Sequence, residues 1–137
     1  MQFLDTASKL HIFTIKQCVK FPKRYTFYVS QDIASASSEI LECAKCANSI
    51  YPTNAREVQM RREYLLQAYA KTQSLISLIG DAKELFEISG NIMAGWMELI
   101  QAELGLLRGV MKNDKQRYRR FEEYKNDSIS DDSTNQK

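Results

Sequence analysis

Apolar residues recur at intervals of three and four along most of this 137-residue chain, which is the spacing of amphipathic helices. Three loop signals interrupt the pattern, at Phe21-Pro22-Lys23, Tyr51-Pro52-Thr53 and Ile88-Ser89-Gly90. The segments between these signals contain no Pro and little Gly. The pattern therefore predicts an all-α chain of four helices, arranged as an up-down-up-down four-helix bundle.

The expected bounds of the four helices are about residues 5–20, 25–49, 54–86 and 89–112. Asn54 and Glu57 have the spacing of a capping box, so the third helix begins after Asn54. Ser89 is the expected N-cap of the fourth helix. We therefore divide the chain into a bundle at residues 1–112, a basic and aromatic extension that is helical or irregular at 113–125, and a disordered polar tail at 126–137.

Length and composition describe one domain of ordinary polarity, with 44% hydrophobic and 26% charged residues. No segment approaches the run of about 20 apolar residues that spans a bilayer. The first residues lack the basic start and apolar stretch of a signal peptide. We therefore expect a cytoplasmic protein with no membrane partner.

Cys43 and Cys46 form a C-x-x-C spacing, which serves zinc sites and redox pairs in other proteins. A structural zinc site needs four ligands, and the other Cys and His residues are Cys18 and His11, on a different predicted helix. Cys43 instead continues the apolar row of the second helix, so packing accounts for it. We predict no metal and no cofactor.

The fourth helix is apolar in more directions than one core-facing stripe requires. Two interpretations stay open: the helix is central to a monomeric bundle, or part of its surface packs against another subunit. Each Gly in a helix interior lowers helix stability by roughly 1 kcal/mol relative to Ala. Several Gly residues in one helix therefore indicate a compensating benefit, such as close approach of another helix. The candidate oligomer interface consists of Gly95, Trp96, Gly105 and Gly109.

Positive charge is concentrated in two groups, although the net charge is only +2. In an up-down-up-down bundle the fourth helix ends at the pole where the third begins. That pole collects the candidate nucleic-acid-binding residues Arg56, Arg61, Arg62, Arg108, Lys112, Lys115, Arg117, Arg119 and Arg120. The opposite, second basic pole holds Lys16, Lys20, Lys23 and Arg24.

Two interpretations of this charge also stay open. Basic side chains on helix surfaces commonly pair with acids one turn away or remain solvated. Alternatively they contact phosphates, and Tyr118, Phe121 and Tyr124, which alternate with the basic residues near the C-terminus, stack on unpaired bases.

Catalytic motifs are not evident in the sequence. There is one His, and neither the G-x-G-x-x-G nor the G-x-x-x-x-G-K-[ST] phosphate-binding pattern occurs. The paired Glu-x-x-His motifs of di-iron bundles are missing too. We therefore predict that the protein is not an enzyme.

Several segments resemble one family of four-helix bundles. They are Lys20-Phe21-Pro22-Lys23-Arg24-Tyr25, the long third helix with Arg61 and Leu65 to Ala68, Ile88-Ser89, and Leu106-Leu107-Arg108-Gly109-Val110-Met111-Lys112. This family contains the accessory variability determinant of diversity-generating retroelements and the proteins encoded in 23S rRNA intervening sequences. The resemblance covers roughly residues 5–112.

The resemblance implies a function that composition alone does not. The retroelement accessory protein is a basic pentameric barrel that associates with the element's reverse transcriptase and template RNA. By this resemblance we expect a non-enzymatic homo-oligomer, a pentamer, that binds reverse transcriptase and RNA or cDNA. The alternative is a protein-only interaction module of the rRNA intervening-sequence type, without nucleic-acid binding.

Overall fold

Four long helices make up most of the computed structural model, which describes residues 2–121. Their bounds are α1 Gln2–Cys18, α2 Gln31–Ser49, α3 Ala55–Leu85 and α4 Gly90–Arg117. A 3₁₀ turn at Lys23–Tyr25 and a π-helical turn at Thr26–Ser30 lead into α2. No strand occurs in residues 2–121, so the all-α prediction is confirmed. The predicted tail at 126–137 and the last part of the extension lie outside the described residues.

The ends of α1 and α4 differ from the predicted ends. Helix α1 begins at Gln2, earlier than the predicted start near residue 5. The first helical turn is packed against the core, because it contains the fully buried Phe3. Helix α4 continues past Lys112 to Arg117, so the boundary predicted at residue 112 falls within a helix. An ion pair between Asp114 and Arg61 of α3 ties this last part of α4 to its neighbour.

Both predicted N-caps are present. The Asn54 side chain accepts a hydrogen bond from the backbone N–H of Glu57 at 2.9 Å. The Glu57 carboxylate reaches back to the backbone N–H of Thr53, also at 2.9 Å, one residue before the N-cap itself. Ser89 accepts from the backbone N–H of Ile92 at 3.3 Å. These bonds satisfy donors that the first turn of a helix leaves without an intrahelical partner.

Helices α2 and α3 run antiparallel, as three cross-helix hydrogen bonds show. Positions that rise along α2 meet positions that fall along α3: Lys71 to Glu39 at 2.7 Å, Cys43 to Gln67 at 3.7 Å, and Arg61 to the Ala47 carbonyl at 3.0 Å. Helix α4 contacts both α1 and α3, and α1 also contacts α2. Each long helix therefore packs against two others around one core.

The core is built from the apolar stripe of each helix. Its largest fully buried side chain is Trp96 of α4, whose indole N–H donates to the Thr14 hydroxyl of α1 at 3.0 Å. Thr14 in turn donates to the Leu10 carbonyl at 2.7 Å. This buried chain of hydrogen bonds gives α4 one register against α1.

An aromatic cluster joins the two loops at one end of the molecule. Phe86, just after α3, lies with its ring centroid 4.7 Å from that of Phe21 and 5.4 Å from that of Tyr25. Phe21 also contacts Trp96, at 6.2 Å between ring centroids. The connection between α1 and α2 is therefore anchored to the connection between α3 and α4.

Candidate nucleic-acid interface

A stripe of positive charge follows one exposed face of α4. Arg108, Lys112 and Lys115 lie on α4, and Arg119 lies two residues after its end. They are spaced by four, three and four residues, which is the spacing of one side of a helix. All four are exposed, and the last three line one shallow depression on the surface. We call these four residues the α4 stripe.

Asp114 is the acid nearest to the α4 stripe, and it points away from solvent. Its carboxylate pairs with Arg61 of α3, at 2.6 Å to Nε and 3.4 Å to Nη2. The two side chains are only 5% and 14% exposed, for Arg61 and Asp114 respectively. Because this charge is already paired, it offsets little of the field of the α4 stripe.

Arg61 is a structural residue in this arrangement. Its Nη1 donates to the Ala47 carbonyl at 3.0 Å and more weakly to the Ile50 carbonyl at 3.4 Å, at the C-terminal end of α2. These carbonyls lie at the C-terminal end of α2, where the helix no longer supplies a backbone N–H four residues later to bond them. The prediction that Arg61 contacts phosphate is therefore corrected, because its guanidinium is buried and committed to protein partners.

Other residues of the predicted site remain on the surface around the α4 stripe. Arg62 of α3 and Lys115 of α4 line one cleft between the two helices. Arg56 is exposed in the first turn of α3, and Arg117 is exposed at the end of α4. The structure thus brings the start of α3 and the end of α4 together, as the predicted helix order requires.

Aromatic side chains accompany the basic residues beyond α4. The rings of Tyr118 and Phe121 stack at 6.3 Å between centroids, and the guanidinium of the exposed Arg120 lies 4.8 Å from the Phe121 centroid. Tyr124 lies outside the described residues. Within the described part, these aromatics contact one another and a cation, an arrangement compatible with both a solvated face and a base-stacking surface.

The second basic pole has different surroundings. Its residues Lys16, Lys20, Lys23 and Arg24 are all exposed, and the Arg24 guanidinium lies 5.2 Å from the Tyr25 ring centroid. The end of α3 reaches this pole, because Phe86 stacks on Tyr25. The C-terminal end of α3 and the residues just after it therefore bring the exposed acids Asp81, Glu84 and Glu87 to the second basic pole.

The structure divides the predicted oligomer interface. Trp96 is fully buried in its own chain, and a Cβ on Gly95 would meet the Phe13 ring at 3.5 Å, so these two positions belong to intrachain packing. Trp96 therefore leaves the interface. Gly105 and Gly109 are exposed, and a Cβ on either would have open space within 4 Å. Nothing in the described chain requires glycine at these two positions.

The apolar excess of α4 is largely absorbed within the chain. Its large apolar residues are buried or half-buried and pack against the common core. The exposed apolar residues lie elsewhere, and three of them, Ile15, Val19 and Phe27, line one surface groove between the end of α1 and the start of α2. The exposed Ile12 precedes Ile15 by one turn of α1. The i, i+3, i+7 spacing of Ile12, Ile15 and Val19 follows a second side of this helix, and that spacing was the signal available in the sequence.

The cysteines show no sign of reactivity. Burial raises the pKa of the Cys18 thiol to about 11 and raises that of Cys43 as well, which disfavours the thiolate. The Cys43 thiol donates to Gln67 Oε1. Among residues 2–121, no group of three or more His, Cys, Asp or Glu side chains is placed to hold a metal ion.

Glu103 of α4 is a buried acid that sequence reasoning did not single out. It is fully buried, and neither carboxylate oxygen has a hydrogen-bond partner in the described residues. Burial raises its pKa to about 8, so the carboxyl is mostly protonated at neutral pH. Its position three residues after Ile100 and four before Leu107 lies on the core stripe, and that spacing was the available signal.

Comparisons with known proteins do not assign a family. No family model, curated protein or solved structure matches the chain. Within residues 2–121, none of the helices combines the length and the apolar character needed to cross a membrane. The function proposed below is therefore argued from the surfaces described above and from the sequence resemblance.

Proposed function

We propose that this protein is a non-enzymatic accessory protein that holds RNA or cDNA on the α4 stripe. The observation that supports this proposal is the alignment of four exposed cations, three on one face of α4 and Arg119 just beyond its end, next to an acid whose charge is paired inside the protein. Arg62 shares a cleft with Lys115 and adjoins this stripe. Arg56, Arg117 and Arg120 are further exposed cations at the same end of the molecule.

Phosphate contact is the proposed mode of binding. From Arg108 to Arg119 the stripe extends for roughly 16 Å, at about 1.5 Å per helical residue, so several successive phosphates can lie along it. Such contacts release counterions and carry little sequence information. The binding is accordingly expected to be strongly salt-dependent and to depend weakly on base sequence.

The biological setting that we propose follows from the family resemblance. In that setting the four helices form an up-down-up-down bundle, copies of which assemble into a pentameric ring in the cytoplasm, and the ring holds a reverse transcriptase on its template during copying in a diversity-generating retroelement. The open surface around Gly105 and Gly109 supports this assembly. Gly lowers the stability of a helix, and no contact within one chain requires it at these two positions. A ring would also multiply the positive field of each α4 stripe.

A protein-only interaction module is the second candidate function. The exposed apolar surface formed by Ile15, Val19 and Phe27 favours it, since such patches on soluble proteins mark contact surfaces for other macromolecules. In this case the α4 stripe is a solvated face. The protein then oligomerises or binds partners without affinity for nucleic acid.

Two charge-neutralised variants of equal size distinguish these functions. The first replaces the α4 stripe (R108Q, K112Q, K115Q, R119Q), and the second replaces the second basic pole (K16Q, K20Q, K23Q, R24Q). Affinity for a fluorescently labelled RNA is measured for both variants and the unmodified chain over a series of salt concentrations.

We expect the α4 stripe variant to bind RNA at least about tenfold more weakly and to have a shallower salt dependence. On a single strand the slope should fall by roughly 0.7 for each phosphate that the variant no longer neutralises. The RNA affinity of the variant that replaces the second basic pole is expected to fall much less. Equal reductions in the two variants would contradict the assignment to α4. Absence of RNA binding by the unmodified chain would favour the protein-only module.

A further inference from the structure

An apolar groove lies between the end of α1 and the start of α2, away from the α4 stripe. Its α1 wall includes Ile15 of α1 and Val19 just after it, and the opposite wall includes Phe27 of the π-helical turn and Ala34 of α2. Val19 is 77% exposed and Phe27 80% exposed, although both are large apolar residues. The groove has a volume of about 680 Å³, enough for several side chains of a partner.

A polar group in the groove also lacks a partner. Ser30 lines the groove, is only 7% exposed, and its hydroxyl makes no hydrogen bond within the described residues. It ends the π-helical turn Thr26–Ser30, a type of irregularity found frequently at functional sites. The hydroxyl oxygen itself is inaccessible to solvent, so it is an unsatisfied polar group behind the groove wall and not a contact atom for a partner.

The charge around the groove is positive. Lys23 lines it, Lys16 and Lys20 are exposed beside the α1 wall, and none of the lining residues is acidic. An occupant with an apolar stripe and acidic flanks therefore complements the groove in both respects.

We propose that this groove binds an acidic amphipathic helix of another protein. The apolar stripe of that helix packs between Val19 and Phe27, and its acidic flanks face Lys16, Lys20 and Lys23, which is the helix-in-groove mode of recognition. A second copy of this chain is disfavoured on the same face, because the two sets of lysines would meet.

The test begins with selection from a displayed library of peptides about 16 residues long. Leu is fixed at helical spacing in every peptide, and all flanking positions vary freely. The library is selected on the full chain, and the affinities of recovered peptides are measured by fluorescence anisotropy for the unmodified protein and for two single variants. Phe27→Ser alters the groove, and Tyr28→Ser is its matched control, since Tyr28 is equally exposed at 80% and does not line the groove.

We expect recovered peptides to be enriched in Asp and Glu at the flanks, to bind Phe27→Ser at least about tenfold more weakly, and to bind Tyr28→Ser normally. Enrichment in basic flanks, or equal binding to both variants, would overturn the proposal. A loss of self-association in Phe27→Ser would assign the groove to a second copy, and Phe27-dependent binding to vesicles of anionic phospholipid would assign it to a membrane. Either result would also overturn it.

Helix binding in the groove is independent of the function proposed for α4. RNA affinity of Phe27→Ser is measured alongside peptide affinity and is expected to be unchanged. A protein that binds RNA but no acidic helix therefore refutes only the groove proposal, and one that binds the helix but no RNA refutes only the assignment to α4.

Discussion

The two basic ends of this molecule differ in what surrounds their charges. At the α4 end, the apolar side chains of the helix are packed against the core, and the nearby Asp114 is buried in a pair with Arg61. At the second basic pole, near the start of α2, Lys16, Lys20 and Lys23 border an apolar groove. Exposed acids at the end of α3 lie at the same end of the molecule. Similar clusters of positive charge thus support different proposals, phosphate binding at one end and helix binding at the other.

Removal of Arg61 is expected to have the largest effect on the α4 end. Arg61→Ala leaves Asp114 buried without its partner and removes the guanidinium hydrogen bonds to carbonyls at the end of α2, so we expect a decrease of about 3–5 kcal/mol in the free energy of unfolding. Chemical denaturation monitored by circular dichroism measures it. The neighbouring Arg62→Ala is the control, since Arg62 is exposed and should cost less than about 0.5 kcal/mol. Similar decreases in both variants would contradict the structural role of Arg61.

A pH-dependent effect is expected from Glu103, in the buried part of α4 between Trp96 and the α4 stripe. Because its pKa is raised to about 8 in the folded protein, the folded state holds a proton that the unfolded state releases above pH about 4.5. The contribution of the Glu103 carboxyl to the free energy of unfolding is therefore fully present below pH about 4.5. It falls as the pH rises from there to about 8, and it is constant above pH about 8. The expected decline is on the order of 4–5 kcal/mol.

The decline is measured as the free energy of unfolding of the unmodified chain and of Glu103→Gln at a series of pH values. Gln has nearly the same shape and does not titrate in this range, so the difference between the two proteins should change with pH as described. Glu98→Gln, at an exposed position of α4, is the control and should leave the pH profile unchanged. A constant difference across this range would show that Glu103 does not titrate with a raised pKa.

A smaller effect is expected near the α2 start, where Trp96 donates to Thr14. Thr14→Val keeps the shape of the side chain but leaves the buried indole N–H without its acceptor, at an expected cost of about 1–3 kcal/mol. Thermal or chemical unfolding provides the measurement. Thr72→Val is a close control, because Thr72 is also buried and also bonds back to the carbonyl four residues earlier, in this case that of Ala68. If the control were destabilised as much as Thr14→Val, the Trp96 bond would not be the cause.

Much of the fold could be predicted from the sequence, because its signals are local. Pro22 and Pro52 mark loops, and Asn54 and Ser89 are residue types that cap helices, so the four helices and two of their starts follow from spacing alone. The continuation of α4 to Arg117 was left open in the sequence analysis, which allowed residues 113–125 to be helical or irregular. It is supported by a long-range ion pair with Arg61, which no local pattern records.

The candidate site was less predictable, because it depends on which side of each helix faces inward. Arg61 and Arg62 are adjacent and chemically identical, yet one is buried and the other exposed. Arg61 lies three residues after Val58 and four before Leu65, so its place on the core stripe could have indicated burial. For α1, by contrast, two sides are apolar, and the sequence does not say which one the neighbouring helices cover.

Mass-resolved size exclusion of the purified protein, with and without a structured RNA at low and high salt, is the decisive experiment for the proposed oligomeric RNA-binding protein. We expect a particle of pentamer size that binds RNA at low salt and releases it at high salt. A monomer whose elution is unaffected by RNA at either salt concentration would contradict both the assembly and the function proposed for α4.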